Sequence, residues 1–191
     1  MQWYNEPQDW QFRANSLSLF VTAKTDYWRE THYAFTVDDG PFYFQNRGGE
    51  FSVEVSIQAD YQTRYDQMGL MLRIDAANWI KFGVEYVDEK INISAVVTRD
   101  KSDWSILPLA HQPEQIWLKA IRRLDAVELH YALDGTNYQM VRLAHFPDNR
   151  PLMVGMMAAS PDGEGFQAEF KDFSITHLPD QRRTQWLANN P

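Results

Sequence analysis

YDQMGLMLRIDAANWIKFGVEYVDEKINISAVVTRDKSDW, residues 65–104, decides the fold. Met68, Leu70 and Leu72 alternate with Gly69, Met71 and Arg73. Ile80, Phe82 and Val84 alternate with Trp79, Lys81, Gly83 and Glu85, and Ile91, Ile93, Ala95 and Val97 with Asn92, Ser94, Val96 and Thr98. A period of two sends successive side chains to opposite faces of a strand, so each run reads as a half-buried antiparallel strand. Keeping the apolar faces together sets the register, because a one-residue slip would turn every side chain over. Arg73 then stands opposite Trp79, Met71 opposite Lys81, Gly69 opposite Gly83, and Gln67 opposite Glu85. A two-residue slip would oppose Arg73 and Lys81, two like charges, and lengthen the loop. Across the next turn Glu85 meets Asn92, Gly83 meets Ser94, Lys81 meets Val96, and Trp79 meets Thr98.

This register builds a patch on one sheet face. Gly69, Gly83 and Ser94 form a floor without bulk; Gln67, Glu85 and Asn92 make one polar wall; Arg73, Trp79, Lys81 and Thr98 stand towards the other. Lys81 and Glu85 are four residues apart on a strand, hence about 13 Å apart at Cα, able to grip opposite ends of a ligand. The plainer reading is a solvated face in which glycine marks a bulge. Trp79 among charges tilts the balance towards a ligand surface, since an exposed Trp is costly unless covered or used.

Further strands are expected at 17–22, 42–46, 51–59, 116–123, 126–133, 138–143, 152–159 and 166–176. Asp39-Gly40-Pro41, Gly48-Gly49, Asp134-Gly135 and the run SPDGEG at 160–165 punctuate them. Asp134-Gly135 marks a hairpin. Helical periodicity is confined to a short turn near 181–187. The expectation is all-β, an antiparallel two-sheet β-sandwich or jelly roll, formed by residues 1–191 as one domain.

Composition narrows the partners. With 44% hydrophobic and 14% aromatic residues the chain can bury a sizeable core. A net charge of −8, with no basic stripe, argues against nucleic acid. The chain has no cysteine, which excludes disulfides and thiolate chemistry. Neither a leader pattern nor a membrane-length apolar run is present, so a cytoplasmic location without membrane attachment is expected. Oligomeric state is not legible.

The blocks DQMGLMLR (66–73), NWIKFGVE (78–85), ISAVVT (93–98) and SDWS (102–105) together resemble the signature of the DUF1349 family. TDYW (25–28), YALDGTNY (131–138), VGMMAASP (154–161) and FKDFSI (170–175) extend the resemblance through nearly the whole chain. It implies a sandwich similar to concanavalin A-like lectins and glucanases, with a concave sheet face able to hold a saccharide. A fold likeness of this kind is associational where function is concerned.

Sugar binding requires aromatic platforms and planar polar partners. Trp79, Trp28 and Trp104 could supply the first; Gln67, Lys81, Glu85, Asn92 and Asp103 the second. Trp28 and Trp104 read equally well as packing under a loop, and Asp26 as an Asx-turn residue. The expected ligand is a saccharide or sugar-like small molecule; a cytosolic regulatory protein, holding a protein partner or metabolite on the same face, is the alternative. Lys81 beside Arg73 also suggests an acidic ligand. A hydrolase or isomerase using Glu85 as acid/base is a third reading. Glycosidases need two carboxyls roughly 5–10 Å apart, and Glu85 has no partner on its strand. No metal site is expected, because His32, His111, His130, His145 and His177 lack ligand spacing and SPDGEG reads as a turn. No cofactor motif is present.

Overall fold

The computed structural model describes residues 1–147 and 150–190. Its strands run Gln2–Tyr4 (β1), Trp10–Arg13 (β2), Ser16–Phe20 (β3), Tyr27–Arg29 (β4), Thr36–Asp38 (β5) and Phe42–Arg47 (β6). Phe51–Ala59 (β7), Gln67–Asp75 (β8), Asn78–Val87 (β9), Lys90–Arg99 (β10) and Lys101–Pro108 (β11) follow. Ile116–Arg123 (β12), Ala126–Ala132 (β13), Gln139–His145 (β14), Leu152–Ala159 (β15) and Gln167–His177 (β16) complete them, before one helix, Gln181–Asn189 (α1).

Two seven-stranded antiparallel sheets form a sandwich, one ordered β1-β6-β15-β8-β9-β10-β11 and the other β14-β13-β12-β7-β16-β3-β2. The register inferred for β8, β9 and β10 is the one observed, from Gln67 opposite Glu85 to Trp79 opposite Thr98. Its cause is the apolar row on each strand. Leu70, Leu72, Ile80, Phe82, Ile93 and Ala95 meet Val53, Val55, Leu118, Ala120 and Phe170 in one core between the sheets. Asp134 and Gly135 do lie in the β13–β14 hairpin, Gly135 with a φ of 75°. The Asp134 carboxylate accepts the Thr136 and Asn137 amides.

The opposite face of β8, β9 and β10 differs from expectation. It is covered, not open. A two-stranded ribbon of β4 and β5 lies over part of it and builds a second apolar cluster. Tyr27 and Trp28 from β4 join Phe42, Phe44, Met71, Trp79, Val96 and Met157 there. Tyr27 and Trp79 pack edge to face at 6.1 Å, and the Tyr27 hydroxyl donates to the Gly40 carbonyl. Burial of each such side chain contributes about 1.5–3 kcal/mol. Arg73 at 3% exposure is held by Asp38 of β5, with Nη1 and Nη2 donating at 2.5 and 2.7 Å.

The Gly69–Gly83 pair answers to strands in close approach. A Cβ on either would lie 2.1 Å from a carbonyl oxygen of the facing strand. No helix among the described residues is long and apolar enough to cross a membrane.

Candidate functional site

The ribbon leaves one end of this face uncovered, and a cavity of about 220 Å³ opens there. Gln67, Lys81 and Glu85 rise from β8 and β9 as its floor. Trp104 comes from β11, Trp28 from β4, Tyr33 and Phe35 from the ribbon loop, and Tyr65 from the loop before β8; Asp26, Pro161 and Asp162 complete the lining.

Period two decides which floor residues enter. Lys81 and Glu85 share the covered face of β9 with Trp79, but Trp79 sits under the ribbon at 1% exposure. The Lys81 ammonium donates to the Tyr27 carbonyl at 2.9 Å, to Gln67 Oε1 at 2.6 Å and to Asp26 Oδ1 at 3.4 Å. Gln67 Nε2 in turn donates to Asp26 Oδ1 at 3.3 Å and the Tyr65 carbonyl at 3.1 Å. Asp26 also accepts the amide of Tyr27 at 2.7 Å, so it is both a local cap and the counter-charge of Lys81.

Glu85, 6% exposed, accepts two hydrogen bonds on the same oxygen. Ser94 Oγ reaches Oε2 at 2.7 Å and Trp104 Nε1 at 2.9 Å. Burial raises the Glu85 carboxyl above the ordinary glutamate value; Lys81, Ser94 and Trp104 oppose this, while Asp26 adds to it.

The aromatic wall is continuous. Phe35 stacks on Tyr33 at 5.8 Å, Tyr33 meets Trp28 edge to face at 5.7 Å, and Tyr65 meets Trp104 at 6.4 Å. The Tyr33 and Tyr65 hydroxyls face each other at 3.4 Å across the mouth. Burial, then the hydrogen bond with Tyr33, pushes the Tyr65 phenol up to about 12. The loop carrying Tyr33 and Phe35 holds Glu30, His32 and Ala34 at φ of 57°, 66° and 57°. Left-handed backbone costs a residue with a Cβ about 1–2 kcal/mol, so local contacts must hold this rim. Glu30 donates its amide to the Phe35 carbonyl at 2.7 Å and accepts that of Ala34 at 2.7 Å.

Of the residues picked out from sequence, the structure brings Gln67, Lys81, Glu85, Trp104 and Trp28 to one cavity. Arg73 and Trp79 lie beneath the ribbon. Asn92 donates to the backbone carbonyls of Glu85, Val87 and Lys90, and Thr98 pairs with Ser102 at 2.9 Å. Asp103 points away from its neighbour Trp104 and meets Arg142 of β14 at 3.2 Å. Arg73 and Lys81 both spend their charge inside the protein, which removes the motive for an acidic ligand. Tyr33, Phe35, Tyr65 and Pro161 were not singled out from sequence, and Asp162 was weighed only as part of a calcium loop and read as a turn residue. Tyr65 and the SPDGEG run lie about a hundred residues apart in the chain, and nothing in a linear pattern brings them together.

In the SPDGEG loop, Ser160 Oγ donates to Asp66 Oδ1 at 2.6 Å, and Glu164 meets Lys24 at 3.0 Å. The cavity thus joins a ring-lined wall to a hydrogen-bonding floor with one buried acid.

The comparisons agree with this architecture. The profile of the family described as "Protein of unknown function (DUF1349)" matches residues 3–178. "Regulation of enolase protein 1" of Saccharomyces cerevisiae is 36% identical over 174 residues, 91% of this chain and 88% of that protein. A crystal structure of a functionally unknown protein from the same yeast superposes with a TM-score of 0.89 at 35% identity, covering 93% of this chain and 96% of that one. The GH43 protein BlXynB of Bacillus licheniformis has a TM-score of 0.70 at 18% identity, covering 91% of this chain but 36% of that one, which speaks to fold alone. By the extent of the profile match and the likeness of the yeast relative, the chain belongs to the DUF1349 family.

Proposed function

We propose that this protein binds a small polyhydroxylated molecule, of about monosaccharide size, in the cavity at the ribbon's end. One observation carries the reading: an aromatic wall of Trp28, Tyr33, Phe35, Tyr65 and Trp104 faces a polar floor of Gln67, Lys81 and Glu85. Rings accept the C–H face of a sugar, while planar amides and carboxylates address its hydroxyls. The volume of about 220 Å³ lies below the ~300–1,000 Å³ of drug-sized pockets, which favours a single ring over a polysaccharide groove. Binding, not turnover, is the proposal, because of the other two carboxyls in the lining Asp26 is held by Lys81 and Asp162 stands exposed at the rim.

Titration calorimetry against a saccharide panel tests this, with Phe35→Ala and Trp104→Phe beside the wild type. Phe35 is 43% exposed, so its removal should leave the fold intact while weakening binding about tenfold. No binding by any saccharide class at millimolar concentration would overturn the reading.

A second reading rests on the yeast relative, whose name links it to regulation of enolase. We propose enolase as a protein partner, contacted at the cavity mouth in the cytoplasm. Tyr33 and Phe35, 44% and 43% exposed, offer the kind of aromatic anchors that dominate protein interfaces. Purified enolase should be retained by the wild type and lost by Tyr33→Ala/Phe35→Ala; equal retention would sink this contact.

A further inference from the structure

We infer that the ligand of this cavity carries an organic ammonium group, seated between Glu85 and the rings of Trp28, Tyr65 and Trp104. The inference rests on the small-molecule reading of the same site and adds the sign of the ligand's charge.

Asp26, Glu85 and Asp162 line the cavity, against the single ammonium of Lys81. Three donors of that ammonium meet three acceptors: the Tyr27 carbonyl, Gln67 and Asp26. It has nothing left to offer an anion, and its charge answers Asp26. Glu85 is the exception. Both of its hydrogen bonds fall on Oε2, Oε1 accepts none among the described residues, and no cationic group among them lies within ion-pair distance. A carboxylate 6% exposed, on which Lys81 acts only from beyond ion-pair distance, carries a desolvation cost that a bound cation would offset.

The wall has the matching chemistry. Ring faces carry negative quadrupole density and attract alkylammonium groups, most strongly where water is excluded. Rings do not ligate metal ions, and among the described residues no group of three His, Asp or Glu is arranged to hold one. An organic cation satisfies Glu85 and the rings together; an anion satisfies neither.

Binding should depend on pH through Glu85. The groups facing it are Lys81 on its own strand, Asp26 before β4, Ser94 on β10, Trp104 on β11, Tyr65 before β8, and Asp162 at the rim, with Arg64 lying over Tyr65 outside. Burial holds the Glu85 carboxyl above its ordinary value and a bound cation would draw it down. Cation binding therefore releases a proton and tightens as pH rises.

The test is calorimetry of the full chain with two matched pairs: choline against its neutral isostere 3,3-dimethylbutan-1-ol, and glucosamine against glucose. The charged member should bind the wild type at least about tenfold more tightly, and Glu85→Gln should abolish that difference. Equal or better binding of the neutral members overturns the inference and leaves the small-molecule reading standing. Choline binding with neither sugar bound upholds the charge and leaves the sugar to the saccharide panel. Silence from all four probes overturns the inference, and silence from the whole saccharide panel overturns the small-molecule reading with it. The wild-type pairs decide the matter even if the Gln variant does not fold.

Discussion

Glu85 shows how one side chain serves two ends. It anchors Ser94 and Trp104, yet its burial carries an electrostatic cost that folding must absorb. Its folded-state titration lies above that of an unfolded glutamate, so the folded protein binds the extra proton between the two values. That contribution is fully present below the unfolded value and disappears as pH rises through the folded one. Melting curves from pH 4 to 8 should therefore show the wild type losing stability relative to Glu85→Gln as pH increases, with the variant at least as stable at pH 7. Parallel curves would refute this placement of the charge. Much of this residue was legible in the sequence, because β9 alternates cleanly and puts Glu85 on the same non-core face as Lys81. The partner Trp104 was harder to place, since SDW reads as a loop and is strand β11. Trp79 has the same chemical look as a ligand platform; only a covering element distinguishes the two fates.

The ribbon of β4 and β5 is that covering element. Each strand has three residues, too few to show a period, and its tip uses left-handed Glu30, His32 and Ala34 where glycine would have signalled a turn. The packing signal is weak for the same reason, as Tyr27 and Trp28 both bury despite being neighbours. Asp38 fastens the ribbon through Arg73, whose guanidinium is almost wholly buried. Removing one partner of a buried ion pair costs about 3–5 kcal/mol, because the other charge is left uncompensated. Asp38→Ala should lose that much stability in urea titration and release amide protection in β4 and β5 before the rest of the protein. A loss below about 1 kcal/mol would place the ribbon's attachment in its aromatic cluster instead.

At the scale of the whole molecule, the sandwich closes one side through Arg142 of β14, which donates to Ser105 at 2.6 Å and Asp103 at 3.2 Å on β11. The larger apolar cluster draws on strands of both sheets. We propose that the chain unfolds as one cooperative domain: tryptophan fluorescence and far-ultraviolet circular dichroism should trace a single coincident urea transition. Two separated transitions would reveal independent units. The two-sheet architecture was legible because register and apolar alternation are local properties of strand pairs. The covering of the outer face was not, because it depends on a contact between residues 27–38 and β9 that no short-range pattern encodes. That contact has an evolutionary corollary. One face of β9 carries both Trp79, which supports the ribbon, and Lys81 and Glu85, which make the cavity floor. Lys81 also ties the floor to the ribbon through Asp26 and the Tyr27 carbonyl, so a change there disturbs the fold, whereas Phe35 and Asp162 at the rim are exposed. Descendants of this protein that acquire a taste for a different molecule should therefore diverge first at the rim, on a floor they cannot afford to rebuild.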